Sequence, residues 1–204
     1  MNNNILIEIN KYRKHPRFQV ERHFDIFLIP FLPSIINRFY ETEFEIAVPE
    51  FPIRKKLVNE KYKSDMESIS ADYALFDRKN KRIAFVELKT DNESNNTIQD
   101  NNMKKLVSNV KAVEVKKFIE DRCIYKPNTL TTYKYQELRT FLQNQNVYDC
   151  FSGNCYAYKI TPHNIKMPED QYLSFRKVVN EYDNNSTDWQ EIKKYLEIWD
   201  EGIK

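Results

Sequence analysis

The 204-residue chain carries 32 basic and 30 acidic residues, a formal charge of +2; it is long enough for one domain with a proper core, and it is not a polybasic chain held on nucleic acid by net charge. Its three cysteines, Cys123, Cys150 and Cys155, form no CxxC pair, which speaks against a disulfide frame or a zinc site and for reduced thiols in a cytoplasmic protein. The opening MNNNILIEINKYRKHP lacks a signal-peptide core, and the longest largely apolar run, from Ile26 to Ile36, is too short to span a bilayer, so no membrane association is expected.

In chain order, Val20, Phe24, Phe27, Leu28, Phe31, Ile35 and Phe39 recur every three or four positions, predicting an amphipathic helix over about 18–41, bent or interrupted at Pro30 and Pro33. Residues 43–53 alternate Phe44, Ile46 and Val48 before the Pro49-Glu50-Phe51-Pro52 punctuation, which predicts a first strand at or near a sheet edge. Residues 54–67 are charged and unpatterned. They read as an exposed loop, or else as a phosphate-contacting flap carrying Arg54, Lys55, Lys56, Lys61 and Lys63.

The next stretch, SISADYALFDRKNKRIAFVELKTD, holds the chemistry. Two apolar runs rich in strand-forming residues, 71–77 and 82–89, flank the polar Arg78-Lys79-Asn80-Lys81, which predicts a hairpin. A turn centred on Lys79 and Asn80 pairs residues whose numbers sum to 159, placing Asp72 opposite Glu87. Side chains alternate along a strand, so Lys89 shares the face of Glu87, roughly 6 to 7 Å further on. The hairpin's other positions are apolar on both faces, as in an interior strand pair. Two carboxylates buried together repel, and alanine at either one is then expected to spare or even stabilise the fold. A divalent cation would compensate the repulsion. The two carboxylates, the main-chain carbonyl of Leu88 and retained waters suit Mg²⁺ or Mn²⁺. Lys89 is then placed to orient an attacking water or to stabilise charge on a phosphate.

Beyond a polar connection over 91–96, Ile98, Met103, Leu106, Val107, Val110, Val113 and Phe118 predict a long helix with a lysine-rich outer face, crossing back over the sheet. Another helix is predicted over 133–142 and a fourth strand over 154–162, joined to the third by that crossover. The aromatic and basic residues Tyr133-Lys134-Tyr135 and Tyr156 to Lys159 suit core packing, or alternatively base stacking. Amphipathic helices over 168–182 and 188–199 close the chain, the last with a capping-box start at Thr187 and Gln190.

Asp72 followed by Glu87-Leu88-Lys89 resembles the PD-(D/E)xK nuclease superfamily, whose signature is an aspartate opening one strand and Glu-x-Lys on the next. Ala71 stands where the family's proline is usual. An acid followed two positions later by lysine occurs four times, at Asp77, Glu87, Glu114 and Glu191, and only the Glu87 copy ends a buried strand with an acid opposite it. The resemblance spans about 17–162. It implies an α/β restriction-endonuclease-like core: a mixed central sheet of about four strands flanked by helices. The helix, strand, hairpin, helix, strand order read from periodicity agrees with that core. One domain over 1–204 is expected, with a C-terminal helical extension over about 165–204. The implied activity is a metal-dependent nuclease acting on DNA, with Asp72, Glu87 and the Leu88 carbonyl on Mg²⁺ and Lys89 catalytic. Relatives often use a glutamine on the helix after the lysine, here Gln99, and a further glutamate as metal ligand, here Glu21 or Glu50. Homodimers are common among them. The alternatives are a cross-strand salt-bridge cluster without metal, or a catalytically inactive nuclease-fold module that binds nucleic acid or a partner protein.

Overall fold

The structure, a computed structural model, describes residues 26–59, 61–62, 64–89, 105, 111–162 and 172–200. Helix α1 (Leu32–Tyr40) starts where the sequence predicts an interruption: Pro33 sits in its first turn, where a missing N–H costs no hydrogen bond. Its Leu32, Ile35 and Ile36 are buried and Glu41 ends it in a left-handed conformation. Asn37 fastens the turn that follows. Its side chain donates to Phe44 O at 2.7 Å and accepts from Phe44 N–H at 2.7 Å and from the Thr42 hydroxyl at 2.9 Å.

Strand β1 (Ile46–Arg54) leads into a one-turn helix α2 (Lys55–Val58), so 54–67 is not loop throughout; Val58 is buried and anchors it. Strands β2 (Ser68–Asp77) and β3 (Arg82–Leu88) form the hairpin in the expected register, with Tyr73 opposite Val86 and Asp77 opposite Arg82. The turn is held by Asp77, whose carboxylate accepts from Asn80 N–H at 2.9 Å and Asn80 Nδ2 at 2.8 Å. After α3 (Ala112–Ile124), α4 (Leu130–Asn144) and a 3₁₀ turn (Tyr148–Ser152) comes β4 (Cys155–Thr161), parallel to β3. Gly153 precedes it because a Cβ there would lie 1.5 Å from the Lys81 carbonyl oxygen.

Among the described residues the sheet has five strands in the order β1-β2-β3-β4-β5. The fifth, β5 (Tyr172–Ser174), runs parallel to β4. It occupies part of what reads as helix in the sequence, because the apolar spacing of 168–182 belongs to the helix α5 (Phe175–Glu181) that follows at once. Ser174 caps α5 by accepting from Lys177 N–H at 3.1 Å. The last helix, α6 (Thr187–Asp200), has Ser186 as its cap, one residue before the predicted Thr187. The Ser186 hydroxyl accepts from Trp189 N–H at 3.2 Å, and Gln190 reaches back to Asn184 O at 3.1 Å.

Helices cover both faces of this mixed sheet. On one, Tyr73, Leu75, Ala84, Val86, Leu88, Tyr158, Ile160 and Leu173 pack against α1, α5 and α6. Rings lock that layer, with Phe31 and Trp189 5.4 Å apart and Tyr182 and Trp189 4.7 Å apart. The C-terminal helices therefore share a core with α1 and the sheet. On the other face, Ala74, Phe76, Ile83 and Phe85 pack against α3, α4 and the 3₁₀ turn.

Candidate functional site

Strand β2 stays with β1 over nearly its whole length, from Ser68 opposite Arg54 to Phe76 opposite Ile46, but pairs with β3 only from Tyr73 to Asp77. The two inner strands thus part at Asp72. The backbone shows why. Toward α3 and α4, β1 presents Ile46 and Val48, then Phe51 and Ile53, while β2 presents Ile69 and Ala71, then Ala74 and Phe76. Alternation slips by one residue in both strands at the same level. Glu50, with φ of 49°, is the pivot in β1, and it stands between Pro49 and Phe51, whose partners Tyr73 and Ala71 bracket Asp72. Both strands slip together, so register survives while the ribbon turns away from β3.

That departure removes the main-chain acceptor that the Leu88 N–H would have on β2. The half-buried Asp72 supplies it: Oδ2 accepts from Leu88 N–H at 2.7 Å. Strand geometry turns the Leu88 carbonyl to the same edge as its N–H. Beside it on β3, Glu87 Oε1 lies 2.7 Å from Lys89 Nζ. Glu87 is 3% exposed and Lys89 4%, so the pair is desolvated. Lys89 thereby changes the expectation for alanine at Glu87, because removing the carboxylate relieves no repulsion and strands a buried ammonium.

Asp72 is thus joined to Leu88, and Glu87 and Lys89, the residues on either side of Leu88, are joined to each other; Glu50 stands at the level of Asp72 but is exposed. Gln99 and Glu21 lie outside the described residues. Among the described residues no three His, Cys, Asp or Glu side chains gather closely enough to hold a metal ion. The fit to Mg²⁺ or Mn²⁺ rests on donor chemistry: two carboxylates and a main-chain carbonyl are hard oxygen donors, and these ions keep several waters of their own.

Lys159 and Thr161 carry no such role in the sequence reading. Lys159 is the in-register neighbour of Glu87 on β4. It shares that side of the sheet, since Tyr158 and Ile160 face the opposite core. It is 5% exposed, and Thr161, two residues on, is 0% exposed. A lysine in phase with Cys155 and Ala157 was a visible signal, but its neighbour was not, because a parallel crossover carries no turn from which to count register.

Three of the other basic candidates are engaged elsewhere, while Lys61 is exposed. Arg54 pairs with Asp121 at 2.6 Å, Lys55 with Glu67 at 3.1 Å and Lys56 with Asp65 at 3.0 Å, which weakens 54–67 as a phosphate flap; Lys63 lies outside the described residues. Tyr135 is buried under Arg122, 4.8 Å from its ring centroid, and Tyr158 is buried too, so neither offers a face to a base, whereas Tyr133 is exposed. Burial disfavours the thiolate form of all three cysteines, pushing Cys150 up to about 11 and Cys155 up to about 12 and raising Cys123. Among the described residues no helix is long and apolar enough to cross a membrane.

Compared with protein-family models, with curated proteins and with solved structures, the chain matches none. The nuclease resemblance therefore stands on the residues at the strand fork.

Proposed function

We propose that the chain is a metal-dependent nuclease hydrolysing phosphodiester bonds, with DNA as its substrate. The observation that carries this reading is the fork itself: an aspartate at the point where two strands part, clamped to the next strand at Leu88 and flanked there by a buried Glu87–Lys89 pair. Burying such charges costs several kcal/mol per ion and is a poor way to hold a fold together, whereas buried charges at one end of a sheet suit a chemical site.

In this reading Asp72, Glu87 and the Leu88 carbonyl hold Mg²⁺ or Mn²⁺. When bound, the ion supplies Lewis acidity at the phosphoryl group and acidifies water. Asp72 keeps one oxygen on Leu88 N–H, which fixes the carboxylate. Glu87 is oriented by Lys89. The Lys89 ammonium is the group placed to steady an incoming water or to meet charge growing on the phosphoryl oxygens.

The test is cleavage of single- and double-stranded DNA, with RNA beside them, in Mg²⁺, Mn²⁺ or chelator. Metal-dependent cleavage is expected, falling at least ~100-fold in Asp72→Asn, Glu87→Gln and Lys89→Met. A second reading, a non-catalytic module that binds nucleic acid or a protein, is favoured by one observation: Glu87 already has a cationic partner in Lys89. DNA binding without cleavage, indifferent to metal and steeply weakened by salt, would select it.

A further inference from the structure

Strands β3 and β4 run parallel with Glu87 beside Lys159 and Leu88 beside Ile160, and Lys89 N–H donates to Ile160 O at 2.9 Å. The next step of that register sets Lys89 beside Thr161. Lys159 and Thr161 alternate with Tyr158 and Ile160, which belong to the opposite core, so both stand on the side of Glu87 and Lys89, on a strand about 4.8 Å away. Thr161 is fully buried, and its Oγ1 finds no hydrogen-bond partner among the described residues. A buried hydroxyl left so is costly, and an oxygen acceptor entering the site would satisfy it.

The charges lead to the same place. Asp72 and Glu87 carry two negative charges, and Lys89 and Lys159 carry two positive ones. Among the described residues the formal charges of these four side chains sum to zero. A divalent cation entering alone leaves it at +2 in a poorly solvated position, while a cation arriving with a phosphodiester leaves it at +1 and gives the Thr161 hydroxyl an acceptor.

We propose that Lys159 and Thr161 seat the non-bridging oxygens of the phosphodiester, and that cation and phosphate enter the cluster together, each strengthening the other. The seat rests on the nuclease reading, and adds to it two residues outside the Asp72–Glu87–Lys89 set and an order of binding. Reciprocity between the two ligands follows from linkage.

Two measurements test it on the full chain. Calorimetry reads Mn²⁺ binding to the protein without nucleic acid. Anisotropy of a short fluorescein-labelled DNA oligonucleotide reads anion binding in Ca²⁺, a less Lewis-acidic ion, or in chelator. In the wild type, Ca²⁺ is expected to tighten the oligonucleotide. Lys159→Met should move the two affinities in opposite directions: the oligonucleotide loosens about tenfold in Ca²⁺, while Mn²⁺ alone binds more tightly because the cluster is now net negative. A lysine that only held the fold would shift both the same way or neither. Thr161→Val keeps the side-chain shape, removes the unpartnered hydroxyl and should leave the melting temperature unchanged or higher while weakening the oligonucleotide severalfold, so the proposal stays testable if the lysine variant does not fold. If Mn²⁺ binds the wild type, is lost in Glu87→Gln, and both β4 variants keep full oligonucleotide affinity, the seat is overturned and the nuclease reading stands. If the wild type binds no Mn²⁺ at millimolar concentration even with the oligonucleotide present, that reading is overturned and the coupled seat goes with it.

Discussion

One face of the sheet carries two different materials at its two ends. Toward the hairpin turn, Ile83 and Phe85 on β3 join Ala74 and Phe76 on β2 under α3 and the 3₁₀ turn, with Phe76 5.9 Å from Phe151 and 6.1 Å between Phe51 and Phe85. Two residues further along the same strand face stand Glu87 and Lys89, with Lys159 and Thr161 beside them, equally buried. Removing apolar surface from water stabilises a fold by roughly 25 cal/mol per Å², and removing charge from water destabilises it. The apolar end thus accounts for the fold, and the charged end needs another explanation. The proposed nuclease site supplies one.

Substitutions at the two ends should separate them. Phe85→Ala at the apolar end opens a cavity and should cost about 3 to 5 kcal/mol in urea unfolding, with cleavage lost only in proportion to unfolded protein. Glu87→Ala at the charged end should cost about 3 kcal/mol, because it takes the Glu87 carboxylate from the buried Lys89 ammonium. The double variant Glu87→Met with Lys89→Met sharpens the contrast: it should restore or exceed wild-type stability, by up to ~1 to 4 kcal/mol, yet cleave nothing. A double variant less stable than Glu87→Ala would make the ion pair a structural device and undo the comparison.

A smaller effect should appear in alkali. Burial raises Cys155 from the ordinary 9.0 to about 12 and Cys150 to about 11; Tyr158 and Tyr148 rise from 10.0 to about 12, the latter by burial and its hydrogen bond to Glu120. Each folded-state value lies above the unfolded one, so the stability they contribute is complete below about pH 9 and is lost as pH rises toward 12. The melting temperature should fall progressively over that window. A flat profile through it would mean these groups are solvated.

The hairpin was legible because a short symmetric turn sets register by counting: Tyr73 to Val86 and Asp77 to Arg82 follow from where Lys79 and Asn80 sit. The pairing of Asp72 with Glu87 is not part of the ladder, which ends at Tyr73 and Val86; Asp72 takes the Leu88 N–H instead. The slip at Glu50 and Asp72 was only half legible. Pro49 and Pro52 marked a strand at or near a sheet edge, but that both strands shift in step depends on their pairing. The placing of Lys159 beside Glu87 was hidden by the crossover, and β5 by its three residues beside the strong helical spacing of α5. The Lys89 charge meeting Glu87 across one side-chain step was within reach of alternation, but the sequence reading spent Lys89 on water and phosphate and left the carboxylates to repel.

The two margins of the sheet bear on how copies of this chain behave at high concentration. A free strand margin invites another chain to add its own strand and begin an aggregate. Here β1, the outermost strand on one side, carries Pro49 and Pro52, which have no N–H to give, and the left-handed Glu50 between them. On the other side β5 spans three residues. Neither offers a long, straight ladder to a second copy. Concentrated solutions are expected to resist fibril growth by strand addition at the proline-marked margin, and replacing Pro49 and Pro52 with valine is expected to restore the missing donors and open that route.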